Sequence, residues 1–173
     1  MTKIIEGMKR IKANKEKIAD LQTRIAEVSA HLSHETPKYG TQEQTTASIR
    51  EWAQSIHDTI QENIRLLTAI ARTNLATSAT ITIGDRSVTK TLAEWIWRRR
   101  EYAALDLITW QKMTDRNLKE GNIQTSTGVP MPVTIVRNYD PNEKDRKMAE
   151  YKSEAHEIDA TLEVINAVTD LIE

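Results

Sequence analysis

Ile4, Ile11, Ile18, Ile25 and Leu32 stand seven residues apart, and Asn14, Leu21 and Val28 fill the positions between them. An apolar residue every 3.5 positions on average lays one narrow stripe along an α-helix, and water can be excluded from that stripe only by another helix. The same spacing returns twice. Ile49, Ile56, Asn63 and Ile70 are seven apart, with Trp52, Ile60 and Leu67 beside them. Met148, Ala155, Leu162 and Thr169 repeat near the C-terminus beside Tyr151, Ile158, Ile165 and Ile172. A chain with three such seams is constrained to long helices packed lengthwise. Asn14, the polar residue on the first seam, reads as a partly exposed position near a frayed helix end.

The breaks between seams place the elements. Pro37 and Gly40 punctuate HLSHETPKYGTQEQ, residues 31–44. The helices are expected at about 2–34, 45–74, 90–120 and 141–172. Each is then roughly 42–50 Å long at 1.5 Å per residue. Thr91-Leu-Ala-Glu94 has the spacing of a capping box, and Gly121-Asn122 a stop signal. Asp140-Pro141-Asn142-Glu143 offers a capping Asp with Pro at the first helical position. Between the second and third helices, ATITIGDRSVTKT alternates β-branched with small or polar residues around Gly84-Asp85, which predicts a β-hairpin at about 79–89. VTIV, 133–136, is a short strand candidate in an otherwise irregular stretch.

These elements give an all-α fold class: an antiparallel four-helix bundle over residues 1–173, with a small hairpin between helices 2 and 3 and a short strand before helix 4. A two-stranded hairpin is marginal alone. VTIV is the one strand available to complete it, either by folding back along the bundle or from a neighbouring subunit. That second route assigns Ile81, Ile83, Val133 and Ile135 to oligomerisation.

Composition narrows the function. The 173 residues carry 24 Lys plus Arg against 25 Asp plus Glu, a balance that argues against non-specific nucleic-acid binding. Cysteine is absent, which excludes disulfides, thiolate metal sites and a Cys nucleophile. With four Trp, four Tyr and no Phe, the core is aliphatic. The N-terminus lacks the apolar run of a secretory signal, and no run approaches the roughly 20 residues of a membrane span. A cytoplasmic or virion location is expected, with no membrane partner.

WIWRRREY, 95–102, suggests nucleic-acid contact through Arg and Trp, but consecutive helical residues point about 100° apart, so its three arginines do not form one patch. Glu94 lies four residues before Arg98 and is placed to neutralise it. Arg99 lies seven before Asp106, on the stripe that holds Leu92 and Met113, and a buried Arg99–Asp106 ion pair is expected. Trp95 and Trp110 read as core or interface anchors. Arg72, Thr73 and Asn74, with Arg86 and Ser87, form a polar set at the bundle end. They suit either an anion or ligand site, or donors to the free carbonyls of a helix C-terminus. His31, His34 and Glu35 fall short of the four ligands of a structural zinc site. No nucleophile elbow, phosphate loop or zincin motif occurs, so neither an enzyme nor a cofactor or metal is expected.

LQTRIAEVSAHL near the start, IARTNLAT at 70–77 and GDRSVTKTLAE at 84–94 resemble the septicolysin-like family, small helical proteins of bacteria and their phages. Arg72, Thr73 and Asn74 match its Arg-Thr-Asn. Gly84, Arg86, Ser87, Thr89, Leu92 and Ala93 match its turn into the third helix, with Asp85 inserted. Trp95 and Ile96 stand where that family has an Arg-Asp pair. The resemblance implies a self-associating helical bundle. The expected function is a non-enzymatic structural protein that assembles with itself and with other virion proteins of a phage head or tail. The family name carries the alternative of a toxin or pore-former, against which the narrow seams and charged outer faces weigh. A third alternative is a small-ligand binder using Arg72, Asn74, Arg86 and Asp106.

Overall fold

The seam of the first helix is buried along its length in a computed structural model, which describes residues 1–172. In α1 (Ile4–Val28), Ile4, Gly7, Ile11, Leu21 and Val28 are buried, and Asn14, Ile18 and Ile25 are half-buried between them. They face α2 (Gln42–Ala76), with which α1 makes an extensive contact. Gly7 lies against Ile70, and Asn14 bonds Asn63. Both contacts fit one antiparallel register. Asn14 is therefore not at a frayed end. Its Nδ2 donates to Asn63 Oδ1 at 2.9 Å and Glu62 Oε2 at 3.1 Å, so the polar residues of the two seams satisfy each other. A polar pair at one seam position fixes register at some cost in stability. Asn14→Ala is expected to lose about 1–2 kcal/mol in urea denaturation, because it strands the Asn63 amide. Replacing both residues with Leu is expected to recover that loss, and a double variant no better than the single would overturn this account.

The helix ends differ from expectation by a few residues, for local reasons. α1 stops at Val28 rather than about 34: Leu32 is exposed, and its N–H donates to Glu35 Oε2 in a turn of its own. α2 starts at Gln42 because Thr41 caps it, its Oγ1 accepting from the Gln44 N–H while Gln44 Oε1 accepts from the Thr41 N–H. After α2 the hairpin follows as predicted. β1 (Ser78–Ile83) pairs antiparallel with β2 (Arg86–Thr91), and Gly84 takes the positive φ (+61°) of the two-residue turn. One face of β1 buries Ala79, Ile81 and Ile83. On the other, hydroxyl pairs Thr80–Thr89 and Thr82–Ser87 face outward at 2.7 and 2.9 Å.

The third helix is broken. α3 (Leu92–Trp97), with the expected Thr91–Glu94 capping box, passes into a π-helical turn (Arg98–Tyr102) and then α4 (Ala103–Gln111). It ends well before Glu120. Arg116 and Asn117 adopt positive φ, Asp115 accepts from Arg137 at 2.6–2.8 Å, and Lys144 Nζ donates to the freed Met113 carbonyl at 2.6 Å. β3 (Gly121–Gln124) and β4 (Pro130–Val133) form a second antiparallel pair. The strand expected at VTIV is thus shifted to 130–133 and has its own partner, so it does not complete the first hairpin. α5 (Pro141–Val168) opens on Asp140, whose Oδ1 accepts from the Asn142 N–H.

The molecule is mostly helical, with two small antiparallel sheets. It divides into two compact units: residues 1–77 with the segment from Glu163 onward, and residues 78–162. In the first unit the chain ends are tied to α2. Ile4 N–H donates to Thr169 O, Leu171 N–H to Thr2 O, and Ile172 N–H to Thr73 Oγ1.

Candidate interaction surface

The inner face of α2 runs Thr45, Trp52, Thr59, Asn63 and Thr73, with Ile49, Ile56, Leu66 and Ile70 half-buried between them. Ile60 and Leu67, expected beside that seam, are not on it. Their places are taken by Thr59, whose hydroxyl is satisfied by donating to Ser55 O at 2.6 Å, and by Leu66. Ile60, Ile64, Leu67 and Leu75 are 40%, 51%, 53% and 62% exposed. Residues 60, 64, 67 and 71 are the seam residues 59, 63, 66 and 70 moved on by one, which turns them about 100° around the helix. That is the bearing of a second helical neighbour in a bundle. α2 therefore carries two apolar stripes, and the fold covers one. A single exposed Leu is unremarkable on a protein surface; a row of them at 4–3 spacing is the sequence pattern of a helix interface.

On a third face of α2, about 130° around the helix from this stripe, runs a charged row, also at seven-residue intervals: Glu51, Asp58, Arg65 and Arg72, all exposed. Its N-terminal half is acidic and its C-terminal half basic. Each half borders a groove of about 520 Å³. One is lined by Glu51, Asp58 and Glu62, with Lys17 of α1. The other is edged by Arg65 and Arg72 over an apolar floor that includes Ile64, Ala69 and Leu171.

The second unit holds the most highly connected charges. Glu154 is buried, and Arg98 grips both of its oxygens, Nε to Oε1 at 2.6 Å and Nη2 to Oε2 at 2.9 Å. Arg98 Nη1 reaches Asp106 at 2.5 Å, and the guanidinium lies over the Tyr151 ring, 5.6 Å from its centre. The bond to Glu154 raises the Arg98 pKa, against burial and with the help of Asp106. Arg98, not Arg99, is therefore the partner of Asp106. The π turn carries one extra residue per turn, so positions eight apart meet where a regular helix would bring together positions seven apart. Arg99 pairs instead with Asp159 at 2.7 Å. Glu94 is occupied by its capping role. Nearby, Glu150 binds both Arg86 and Lys147. Burial pushes its carboxyl up, but Lys147 and Arg86 outweigh that and hold it below the usual range.

The polar set Arg72, Thr73, Asn74, Arg86 and Ser87 is divided between the two units. Thr73 is fully buried, donating to Ala69 O and accepting from Ile172 N–H, a structural clasp. Arg86 is engaged by Glu150 and Ser87 by Thr82, while Arg72 edges the basic groove. Ile81 and Ile83 are buried in the chain's own fold, which removes them as an oligomerisation surface; Val133 and Ile135 are half-buried. His31 and His34 are exposed, and no group of three or more potential metal-ligating side chains occurs among the described residues. No described helix is long and apolar enough to cross a membrane. No protein-family model matches the chain, and no match was found among curated proteins or solved structures.

Proposed function

We propose that this chain is a non-enzymatic structural protein that self-associates through its helix faces. The observation that carries this reading is the uncovered stripe of α2, Ile60, Ile64 and Leu67 at coiled-coil spacing, with Leu75 exposed further along the same side. The clustered charged groups also favour it. Arg98, Glu154, Glu150 and Asp115 each have an ion-pair partner that accounts for their setting, and none is left poised as an acid or base over an open cleft. In this proposal the α1–α2 pairs of two copies supply four helices, an arrangement different from the bundle of four helices within one chain that the seams led us to expect. A role inside a larger assembly such as a phage particle follows from the resemblance to the septicolysin-like family.

Light scattering on a sizing column over a concentration series tests the reading. The expected result is a closed oligomer that persists on dilution. Ile64→Glu is expected to convert it to monomer with unchanged helical circular dichroism, since Ile64 is not part of the α1–α2 seam. A wild-type monomer at every concentration, with no copurifying partner, rejects the proposal.

A further inference from the structure

The second hairpin has one closed edge and one open one. In β4, Pro130 and Pro132 carry no N–H, so the residue pairs that exchange both backbone bonds are Gly121–Val133 and Ile123–Met131. Thr125, the next residue in that step, keeps the pattern by donating its N–H to Val129 O at 3.2 Å. The outer edge of β4 therefore presents the two prolines and offers no donor. The outer edge of β3 presents both the N–H and the C=O of Asn122 and Gln124. Every residue of β3 is exposed, none is charged, and no proline or bulge guards the strand. We propose that this edge pairs antiparallel with the same edge of a second copy, about a two-fold axis at Ile123, and joins the two hairpins into one sheet.

The edge complements itself under that rotation. Asn122 and the partner's Gln124 each donate an N–H to the other's carbonyl, and symmetry repeats the exchange, so every outward donor of the strand is used. Ile123, 50% exposed, meets its own copy at the close position between those bonds. Met131 across the hairpin, 48% exposed, extends the apolar row over both copies. Charge selects the antiparallel sense. That sense sets Lys119 and Glu120 at the level of the partner's Thr127 and the partner's Ser126, whereas a parallel pairing would set each beside its own kind. A partner also meets a need of the hairpin. β3 and β4 make their extensive contact only with each other, and two short strands are marginal by themselves. One such strand per copy buries far less than the roughly 1,000 Å² of a stable interface. The contact therefore acts where copies are already crowded, as in the assembly proposed above, and it is separate from the α2 stripe.

The absence of cysteine makes the edge directly testable. Ile123→Cys sets two thiols on the axis, with Cα atoms about 4.5 Å apart, inside the range of a disulfide. Met131→Cys, at a similarly exposed position, leaves them about 15 Å apart, outside that range. Both are made in the Ile64→Glu background, so that the α2 contact does not bring copies together. Under air oxidation at high protein concentration, Ile123→Cys is expected to form the covalent dimer about tenfold faster than Met131→Cys, because only its thiols are held in bonding geometry. Adding Gln124→Pro is expected to bring the Ile123→Cys rate down to that of Met131→Cys, because it deletes an outward N–H and leaves the hairpin's own bonds in place. Gln124→Val keeps that N–H and is expected to keep the rate. Equal rates at the two cysteine positions would mean random collision and overturn the inference. So would a rate that Gln124→Pro leaves unchanged, or a loss shared by Gln124→Val. The outcome is distinct from that of the sizing experiment: an α2 contact that fails leaves this edge to be read on its own, and an edge that fails leaves the α2 oligomer intact.

Discussion

Replacing Arg98 with methionine is expected to cost about 3–5 kcal/mol of stability, measured by urea denaturation. The loss comes from what the substitution leaves behind. The Glu154 side chain is 3% exposed and both of its oxygens are held by Arg98. Methionine fills most of the volume but donates nothing, so the carboxylate stays desolvated without a counter-charge. Removing both members tells the stranded charge apart from lost packing. Arg98→Met with Glu154→Leu is expected to recover most of the loss or to exceed wild type, as buried ion pairs replaced by apolar groups of similar size often do. Arg98→Lys should fall between, because an ammonium cannot grip two oxygens and Asp106 at once. A single variant within 1 kcal/mol of wild type, or a double variant no better than the single, would show that the pair is not what holds this region.

Much of the architecture was legible because it rests on local rules. The α1 seam needed only seven-residue counting. The starts of α3 and α5 followed from cap residues that satisfy free amides, and the hairpin from a Gly-Asp turn flanked by β-branched residues. The failures are equally local in origin. Counting could not choose between Thr59 and Ile60 for the second seam, since both spacings are helical and propensity favours the apolar residue. The choice is made by the α1–α2 register that the Asn14–Asn63 pair fixes, and by a Thr59 hydroxyl that finds a backbone carbonyl and so is buried without penalty. The exposed surface of α2 is illegible for the same reason: seven-residue counting sets Ile60 and Leu67 beside the seam, where they need no further partner. Nothing in Arg-Arg-Arg-Glu-Tyr signals a π turn. Its widened spacing makes sense only once Glu154, more than fifty residues away, is seen to hold Arg98. The shift of β4 was illegible because β3 is exposed at every position and has no alternation to read.

Trp95 is expected to be the other large effect, with Trp95→Ala losing about 3–5 kcal/mol. The ring is 1% exposed, its Nε1 donates to the Ala79 carbonyl at 2.9 Å, and Lys90 Nζ sits 5.8 Å from the ring centre. One side chain thus ties α3 to both strands of the first hairpin. The truncation opens a cavity of most of an indole and removes a donor from the Ala79 carbonyl in the same place. Trp95→Phe separates the two terms: it keeps most of the ring contact and deletes the hydrogen bond, for an expected loss of about 1–2 kcal/mol. Amide hydrogen exchange gives the spatial readout. A two-stranded hairpin is marginal by itself, so the amides of β1 and β2 should lose protection in Trp95→Ala well before those of the α1–α2 pair. Unchanged hairpin protection would mean that the strands are held by their own cross-strand pairs, such as Thr80–Thr89, and that Trp95 serves α3 alone. Selective loss would explain why a helical protein keeps a hairpin at this point. The strands follow α2 in the chain, and the indole fixes them to the helix that comes next.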